Sequence, residues 1–479
     1  HYDAAGRLDW VEYANGTKSD PVVRDALGRE TTSLWRRVSD NAVLASDVQT
    51  LSVGGRVTES VTDGNDARPG SPNFVYDGSG RLVDSWTTVR DAAGAITSRH
   101  TAYSFATASG CATGSHLAAG KNTNRTTETV GDGVGAQVTS YCYDYADKLL
   151  STNDASVGTI NYDGHGNTTG IYGETRSYDS ADRHTATVKG PTSVTYTRDG
   201  SDRLIERNAT TTPGTPEVER FGFTSDSDSP DLVLDGTGAI IERQIGLPGG
   251  ASVSLRNGSQ AWSLPNMHGD TVVITDVAGV TAGVTTTYDP YGQSTGQPVV
   301  DNSSGSYDYG WLGEHQRGLE HQTGLAPTIE MGARQYDPNL GRFLEVDPVE
   351  GGSANDYDYV NGDPTNANDL DGHWPKCHWC SKTHRKITKS IKKWVAKKHK
   401  AFKRGWNRVR RSRAWRSARD ATYMGLAAAA VGGAAISCLT YAAVICAVAA
   451  GGAAITSYGA SKNMITNGRR GYYKGKWLK

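Results

Sequence analysis

The stretch from Trp311 to Gly372 decides how this chain is read. It contains Tyr336-Asp337-Pro338-Asn339-Leu340-Gly341-Arg342-Phe343-Leu344. Asp347-Pro348, Asn355-Asp356-Tyr357-Asp358-Tyr359, Asp363-Pro364 and Asp369-Leu370-Asp371-Gly372 follow. Asp-Pro, Asn-Gly and Asp-Gly steps recur every few residues, which predicts a series of tight turns. The aromatic residues between the turns suit short strands. The stretch is also a compositional border. Residues 373–479 hold 24 Lys and Arg against one acid, Asp420, a charge of +23. The remainder holds 26 basic and 50 acidic residues, a charge of −24, so the net −1 hides two oppositely charged parts. An acidic body attracts a basic tail, and salt screens the exposed part of that attraction.

Upstream, from Tyr2 to Gln297, a loose unit keeps returning. It reads Tyr2-Asp3-Ala4-Ala5-Gly6-Arg7-Leu8, Arg24-Asp25-Ala26-Leu27-Gly28-Arg29 and Tyr76-Asp77-Gly78-Ser79-Gly80-Arg81-Leu82. Later copies begin at Tyr143-Asp144, Tyr162-Asp163, Tyr178-Asp179 and Tyr288-Asp289. In each copy the Asp can accept hydrogen bonds from amides just ahead of it, and the Gly tolerates positive φ, so Asp-x-x-Gly closes a turn. The Thr, Val and Tyr flanks favour strands. Such hairpins stack, because one hairpin alone cannot bury its face. Leu232-Val233-Leu234 and Asp270-Thr271-Val272-Val273-Ile274-Thr275 read as buried strands. Long helical periodicity is absent before residue 380. Residues 1–372 are therefore expected to be nearly all β. The low aliphatic content suits a thin wall better than a solid globule. His100, His165, His184 and His268 are expected in surface or turn positions, and phosphate loops and HExxH are absent.

Gly313, Glu314, Thr323-Gly324-Leu325, Ala333-Arg334-Gln335-Tyr336-Asp337-Pro338, Gly341-Arg342-Phe343 and Asp347-Pro348 agree in several fixed offsets at once. In these residues the stretch resembles the RHS repeat-associated core of YD-repeat proteins. The resemblance implies a β shell built from the repeats, closed by this core, followed by a variable C-terminal effector, often a toxin, with an immunity protein as partner. It also implies that some members cut themselves just after the core with two Asp residues of a repeated Asp-Pro-x-Gly motif. The matching positions are Asp347 and Asp369, with residues 351–368 between the motifs. Glu350 replaces the first Gly, Leu370 replaces the second Pro, and His373 replaces the usual Leu. The cut is expected at His373–Trp374. Two close carboxylates share a proton because both cannot ionise cheaply, so one can activate water while the other stays protonated. Both Asp residues would equally serve as turn formers.

Domain boundaries follow from these borders: a YD-repeat shell over 1–310, the core over 311–372, a basic segment over 373–419 and an apolar segment over 420–479. His1 falls inside a repeat, so the sequence reads as the C-terminal piece of a longer protein. Cys111 and Cys142 are expected to pair if the protein is exported, and to be free thiols otherwise. Cys377-His378-Trp379-Cys380 followed by His384 offers a zinc half-site; a disulfide or free thiols is the plainer reading of Cys377 and Cys380. Lys376 to Arg419 carries 18 basic residues and no acid. Ile387, Ile391, Trp394, Val395, Phe402, Trp406 and Val409 fall mostly at helical intervals within it. That segment suits an anionic membrane surface or nucleic acid phosphates. Ala421 to Ser461 is 41 residues without a charge and repeats Gly-Gly-Ala-Ala-Ile at 432 and 451. It reads as an apolar helical hairpin with basic flanks, either membrane-inserting or buried in protein. The leading expectation is a secreted or cell-surface toxin shell whose effector acts on membrane lipid. The alternatives are a nuclease with a nucleic-acid-binding tail and a surface adhesion or wall protein with a membrane anchor.

Overall fold

The computed structural model describes residues 1–373, apart from 92, 284, 296–300 and 350, together with the backbone of Lys376–Cys377. Residues 1–349 and 355–376 form one compact unit. Its secondary structure is strands joined by turns, with three short 3-10 segments at Ala119–Asn122, Gly313–His315 and Val360–Gly362. No α-helix occurs among the described residues. The all-β expectation for this region holds.

The strands follow one another as antiparallel meanders. Five strands run from Thr17–Ser19 to Asn65–Asp66, and six from Phe74–Tyr76 to Leu149–Thr152. Twelve run in unbroken sequence order from Asn161–Tyr162 to Thr271–Thr275. A sheet of five runs from Tyr307–Asp308 to Arg342–Phe343, its last four strands in the quoted stretch, and Ala367–Asn368 pairs with Lys376–Cys377 after it. Neighbours in sequence are neighbours in space because each hairpin is closed locally by its own turn.

The repeat has a complete hydrogen-bond account. Asp77 Oδ1 accepts from Ser79 N at 2.8 Å and Arg81 N at 3.0 Å, and its carbonyl accepts from Gly80 N at 2.9 Å. Gly80 sits at φ +91°, which a side chain resists. Arg81 Nε then donates to Asp77 Oδ2 at 2.8 Å. The same Arg-to-Asp bond recurs at Arg7–Asp3, Arg29–Asp25, Arg183–Asp179 and Arg203–Asp199. The remaining guanidinium nitrogen reaches forward along the chain. Arg29 donates to Ser52 O at 2.9 Å, Arg81 to Gly120 O at 2.6 Å and Arg183 to Asp199 O at 3.0 Å. The Tyr reaches backward. Tyr76 donates to Val57 O at 2.8 Å, Tyr162 to Leu149 O at 3.0 Å and Tyr178 to Thr168 O at 2.8 Å. In the copy Tyr76–Arg81 the Tyr thus ties the turn to an earlier strand, and the Arg ties it to the later 3-10 segment that holds Gly120.

Burial is divided among several small clusters. The densest lies in the quoted stretch: Trp311, Leu312, Ile329, Met331, Tyr336, Phe343, Tyr359 and Val360 pack together. Trp311 stacks on Tyr336 at 5.3 Å, and Tyr336 lies 4.6 Å from Tyr359. Polar bonds join this core to the sheets. Buried Arg207 grips Glu320 through Nε at 2.7 Å and Nη2 at 2.9 Å. Tyr172 donates to Asp337 at 2.9 Å, Arg176 to Gln335 at 2.7 Å, and Tyr357 to Gly166 O at 2.6 Å.

The histidine expectation needs correction. Only His165 is an exposed turn residue. His100 lies in the strand Ile96–Ser104, stacked on Trp86 at 4.2 Å, with Asp132 at 2.6 Å and Asp84 at 3.0 Å. His184 opens a strand and is buried; burial, then Arg176 and Arg198, push its pKa well down, so it is neutral. His268 is in a turn but is enclosed, bonded to Asp270 at 2.9 Å and to Pro364 O at 3.0 Å. The period of two that alternates strand side chains carried His184 inward.

Candidate active site

The site is built on the hairpin of Thr328–Met331 and Arg334–Asp337. Gly332, at φ +66°, and Ala333 make its turn, which leaves Arg334 as the first residue of the returning strand. The strand is held from behind. Glu345 Oε2 accepts from Gln335 N at 2.8 Å, and Gln335 Nε2 donates to Glu330 at 2.6 Å. Burial pushes the Glu345 carboxyl up to about 8. Arg334 therefore has little freedom at its backbone. Its guanidinium lies 3.6 Å over the Phe343 ring, which guards one face.

Arg334 gathers the two expected aspartates. Nη2 is 3.3 Å from Asp347 Oδ2 and 3.1 Å from Asp369 Oδ2. All three side chains are at most 2% exposed. Two carboxyls this deep can both be ionised only with a cation between them; otherwise one of them keeps its proton. Asp347 is positioned by its own Asp-Pro turn. Its Oδ1 accepts from Val349 N at 2.8 Å, and its amide donates to Asp356 O at 2.9 Å. Asp369 follows the short strand Ala367–Asn368. The next residues lie across the hairpin turn: Ala333 N donates to Asp371 O at 3.2 Å, and Arg334 Nε donates to Gly372 O at 2.7 Å. Gly372 is at φ +66°, and a Cβ there would meet Met331 O at 2.4 Å. Only glycine fits that approach. His373 N donates to Asp369 Oδ1 at 3.2 Å, and the His373 ring bonds Asp371 O at 2.6 Å.

The other acids of the stretch are sorted by this geometry. Asp356 meets Arg334 through its carbonyl, at 3.2 Å from Nη1. Asp363 is engaged by Asn366 at 2.6 Å and by Arg56 at 3.5 Å. Asp358 is enclosed, and burial drives its pKa well up against the opposing pull of Arg342. Leu370 packs against the Trp311 cluster, and its carbonyl accepts from Arg317 at 2.6 Å, so the chain runs through this departure from the motif without Pro. Glu350, the other departure, lies outside the described residues. The residue that sequence reasoning passed over is Arg334. It stood inside the quoted motif; the requirement for a cation between two buried carboxylates was the signal that could have singled it out.

Cys111 and Cys142 are joined, with Cα atoms 5.6 Å apart. Of the zinc half-site, only the backbone of Cys377 is described; Cys380 and His384 lie outside the described residues, as do the basic segment beyond 377 and the apolar segment 420–479. Among the described residues no group of three His, Cys, Asp or Glu could hold a metal ion. Nor is any described helix long and apolar enough to cross a membrane.

No family model matches the chain. It is similar to the tRNA3(Ser)-specific nuclease WapA of Bacillus spizizenii, 28% identical over 264 residues, covering 53% of this chain and 11% of that protein. It is also similar to the tRNA nuclease WapA of Bacillus subtilis, 27% identical over 264 residues with the same coverage. The chain thus spans about a tenth of the length of the curated relatives it matches. Among solved structures, TcdB2-TccC3-TEV superposes with a TM-score of 0.60 at 18% identity, covering 78% of this chain and 19% of that one. The Photorhabdus luminescens Tc holotoxin pore does so with a TM-score of 0.57 at 16% identity and the same coverage. The likeness to these structures is one of fold. Together with the Tyr-Asp turns and the core hairpin, these similarities support an RHS/YD-repeat protein.

Proposed function

We propose that this chain is the shell-and-core carrier of a C-terminal effector, and that the core severs the chain behind itself by aspartyl hydrolysis. The observation that carries the reading is the meeting of Asp347 and Asp369 on one buried guanidinium, which also holds the carbonyl of Gly372. The chemistry follows from those contacts. The ionised carboxylate takes a proton from water, the other, as a protonated carboxylic acid, gives a proton to the departing amine, and Arg334 steadies negative charge on the carbonyl oxygen. Intact mass of the purified full chain over time tests this. Wild type is expected to release a basic C-terminal fragment, and Asp347→Asn or Asp369→Asn to stay whole. Wild type that remains whole through long incubation sinks the proposal.

For the released fragment, nucleic acid is the better-supported target. Eighteen basic residues without an acid lie between Lys376 and Arg419, and relatives of the chain are named as tRNA nucleases. Counterion release from phosphates would supply salt-dependent affinity. The membrane reading rests on the uncharged run Ala421 to Ser461 alone, and no comparison adds to it. Incubating the released fragment with tRNA and, separately, with anionic vesicles divides the two: degraded tRNA with intact vesicles supports the first, dye leakage with intact tRNA the second. The Cys111–Cys142 bond supports an exported protein, since such bonds persist in oxidising compartments. A toxic fragment would call for an immunity protein in the producing cell.

A further inference from the structure

The expected cut, after the residue that replaces the usual Leu, is His373–Trp374. The contacts around the preceding peptide bond point elsewhere. Two atoms matter in amide hydrolysis: the carbonyl oxygen, which becomes an oxyanion, and the nitrogen, which must be protonated to leave. At the Gly372–His373 bond both are already engaged by the site. Gly372 O receives Arg334 Nε at 2.7 Å, and His373 N lies 3.2 Å from Asp369 Oδ1. The segment is held just before this bond, where Ala333 N donates to Asp371 O at 3.2 Å, and the His373 ring folds back onto the same carbonyl at 2.6 Å. Gly372 has no room for a side chain, so the chain cannot slide by one residue without driving a Cβ into Met331 O, 2.4 Å away.

We infer that the scissile bond of this chain is Gly372–His373, one residue before the expected position, so that His373 becomes the first residue of the released fragment. The inference rests on the self-cleavage proposed above and specifies its substrate bond. Water adds to the Gly372 carbonyl carbon and passes a proton to Asp347. The oxyanion remains on Arg334 Nε. The C–N bond then breaks, its electron pair goes to the nitrogen of His373, and that nitrogen takes a proton from the carboxylic acid of Asp369. Collapse leaves a Gly372 carboxylic acid whose proton passes to the freed amine, so the products are a Gly372 carboxylate on the shell and a His373 ammonium on the fragment, and the two aspartates have exchanged protonation states. Arg334 acts here as a catalytic residue because it touches the reacting oxygen. The His373 side chain only positions the bond.

The test is the mass of the fragment released from the full-length chain, wild type beside His373→Ala. If residue 373 leaves with the fragment, the fragment mass falls by the difference between histidine and alanine, and sequencing from its N-terminus begins at residue 373. If residue 373 stays with the shell, the fragment mass is the same in both proteins and sequencing begins at Trp374; that overturns the inference and leaves self-cleavage standing. Wild type that releases no fragment overturns both. Arg334→Lys adds a rate measurement. It keeps the positive charge but removes the donor at Gly372 O, and loss of one oxyanion donor predicts a fall of about 10²–10³-fold in the cleavage rate. An unchanged rate contradicts the assignment of Arg334 to that oxygen.

Discussion

Replacing Arg207 by Met separates charge from packing in the joint between core and sheet. Arg207 is fully enclosed, on the strand Leu204–Thr211. It holds Glu320 of the core at 2.7 and 2.9 Å, Glu219 at 3.0 Å and the more open Glu217 at 3.1 Å. Glu219 and Glu320 are 2–3% exposed at their side chains. Burial already pushes Glu219 up to about 8, against the pull of Arg207. Met fills a similar volume but leaves two buried carboxyls without their cation. Breaking a buried pair from one side costs about 3–5 kcal/mol. The sign with pH is fixed by the raised carboxyl. The penalty falls on the ionised form, so for Glu219 it is absent while that carboxyl is protonated and grows as the pH rises through about 8. Denaturant midpoints of wild type and Arg207→Met at about pH 5 and about pH 8.5 are the assay. Midpoints are preferred to a single free energy because a long repeat array need not unfold in one step. The variant should lose far more at the higher pH. Equal losses at both would show that Arg207 works by filling space, and the electrostatic account would fall.

Three further outcomes follow from particular contacts. Gly292 is at φ +90° with the Trp311 ring 2.5 Å from where a Cβ would stand, whereas Gly6 is at φ +72° with open space around it. Gly292→Ala should therefore cost about 1–3 kcal/mol of overpacking beyond the backbone cost that Gly6→Ala also carries, and equal melting shifts in the two would refute this. Cys111→Ser should lower stability by about 3–4 kcal/mol, since the bond spans 31 residues; reductant should lower wild type likewise and leave the variant unmoved. Burial opposes charge on His268, but Asp270 at 2.9 Å, the Pro364 carbonyl and the nearby Asp47 raise its pKa above the ordinary 6.5. Its stabilisation is thus present below that ordinary value and lost as pH rises through the raised one, with Glu314 as a further acid in the same field. His268→Gln should be more destabilising at about pH 6 than at about pH 9, and an NMR titration of His268 that shows no upward shift would contradict it.

The Asp-x-x-Gly turns and the strands between them were legible because every interaction that closes such a turn lies within five residues. The reach of the repeat was not. The i+4 Arg had no role in that reading, yet Arg81 binds Gly120 O and Arg183 binds Asp199 O, contacts fixed only once hairpins are stacked. The same limit applied at the core. Asp347 and Asp369 are implied by the family resemblance, but the residue that joins them, Arg334, comes from a different hairpin. Its role depends on folding three separated segments together. His184, expected at a surface or turn position, is buried, because a lone polar residue in a Thr-rich run gives no sign of which face is inward. Leu370 was read as a flaw in the motif, although a non-proline residue here still packs on the Trp311 cluster.

The central claim is that the core cuts its own chain with the aspartate pair on Arg334. The most direct measurement is the first-order rate of fragment release across a wide dilution series of the purified full chain, beside Asp347→Asn, Asp369→Asn and a mixture of the two. An intramolecular aspartyl pair predicts one rate constant at every concentration in wild type, none in either variant, and none in the mixture. A rate that falls on dilution, or one that survives in an Asn variant, would contradict the account.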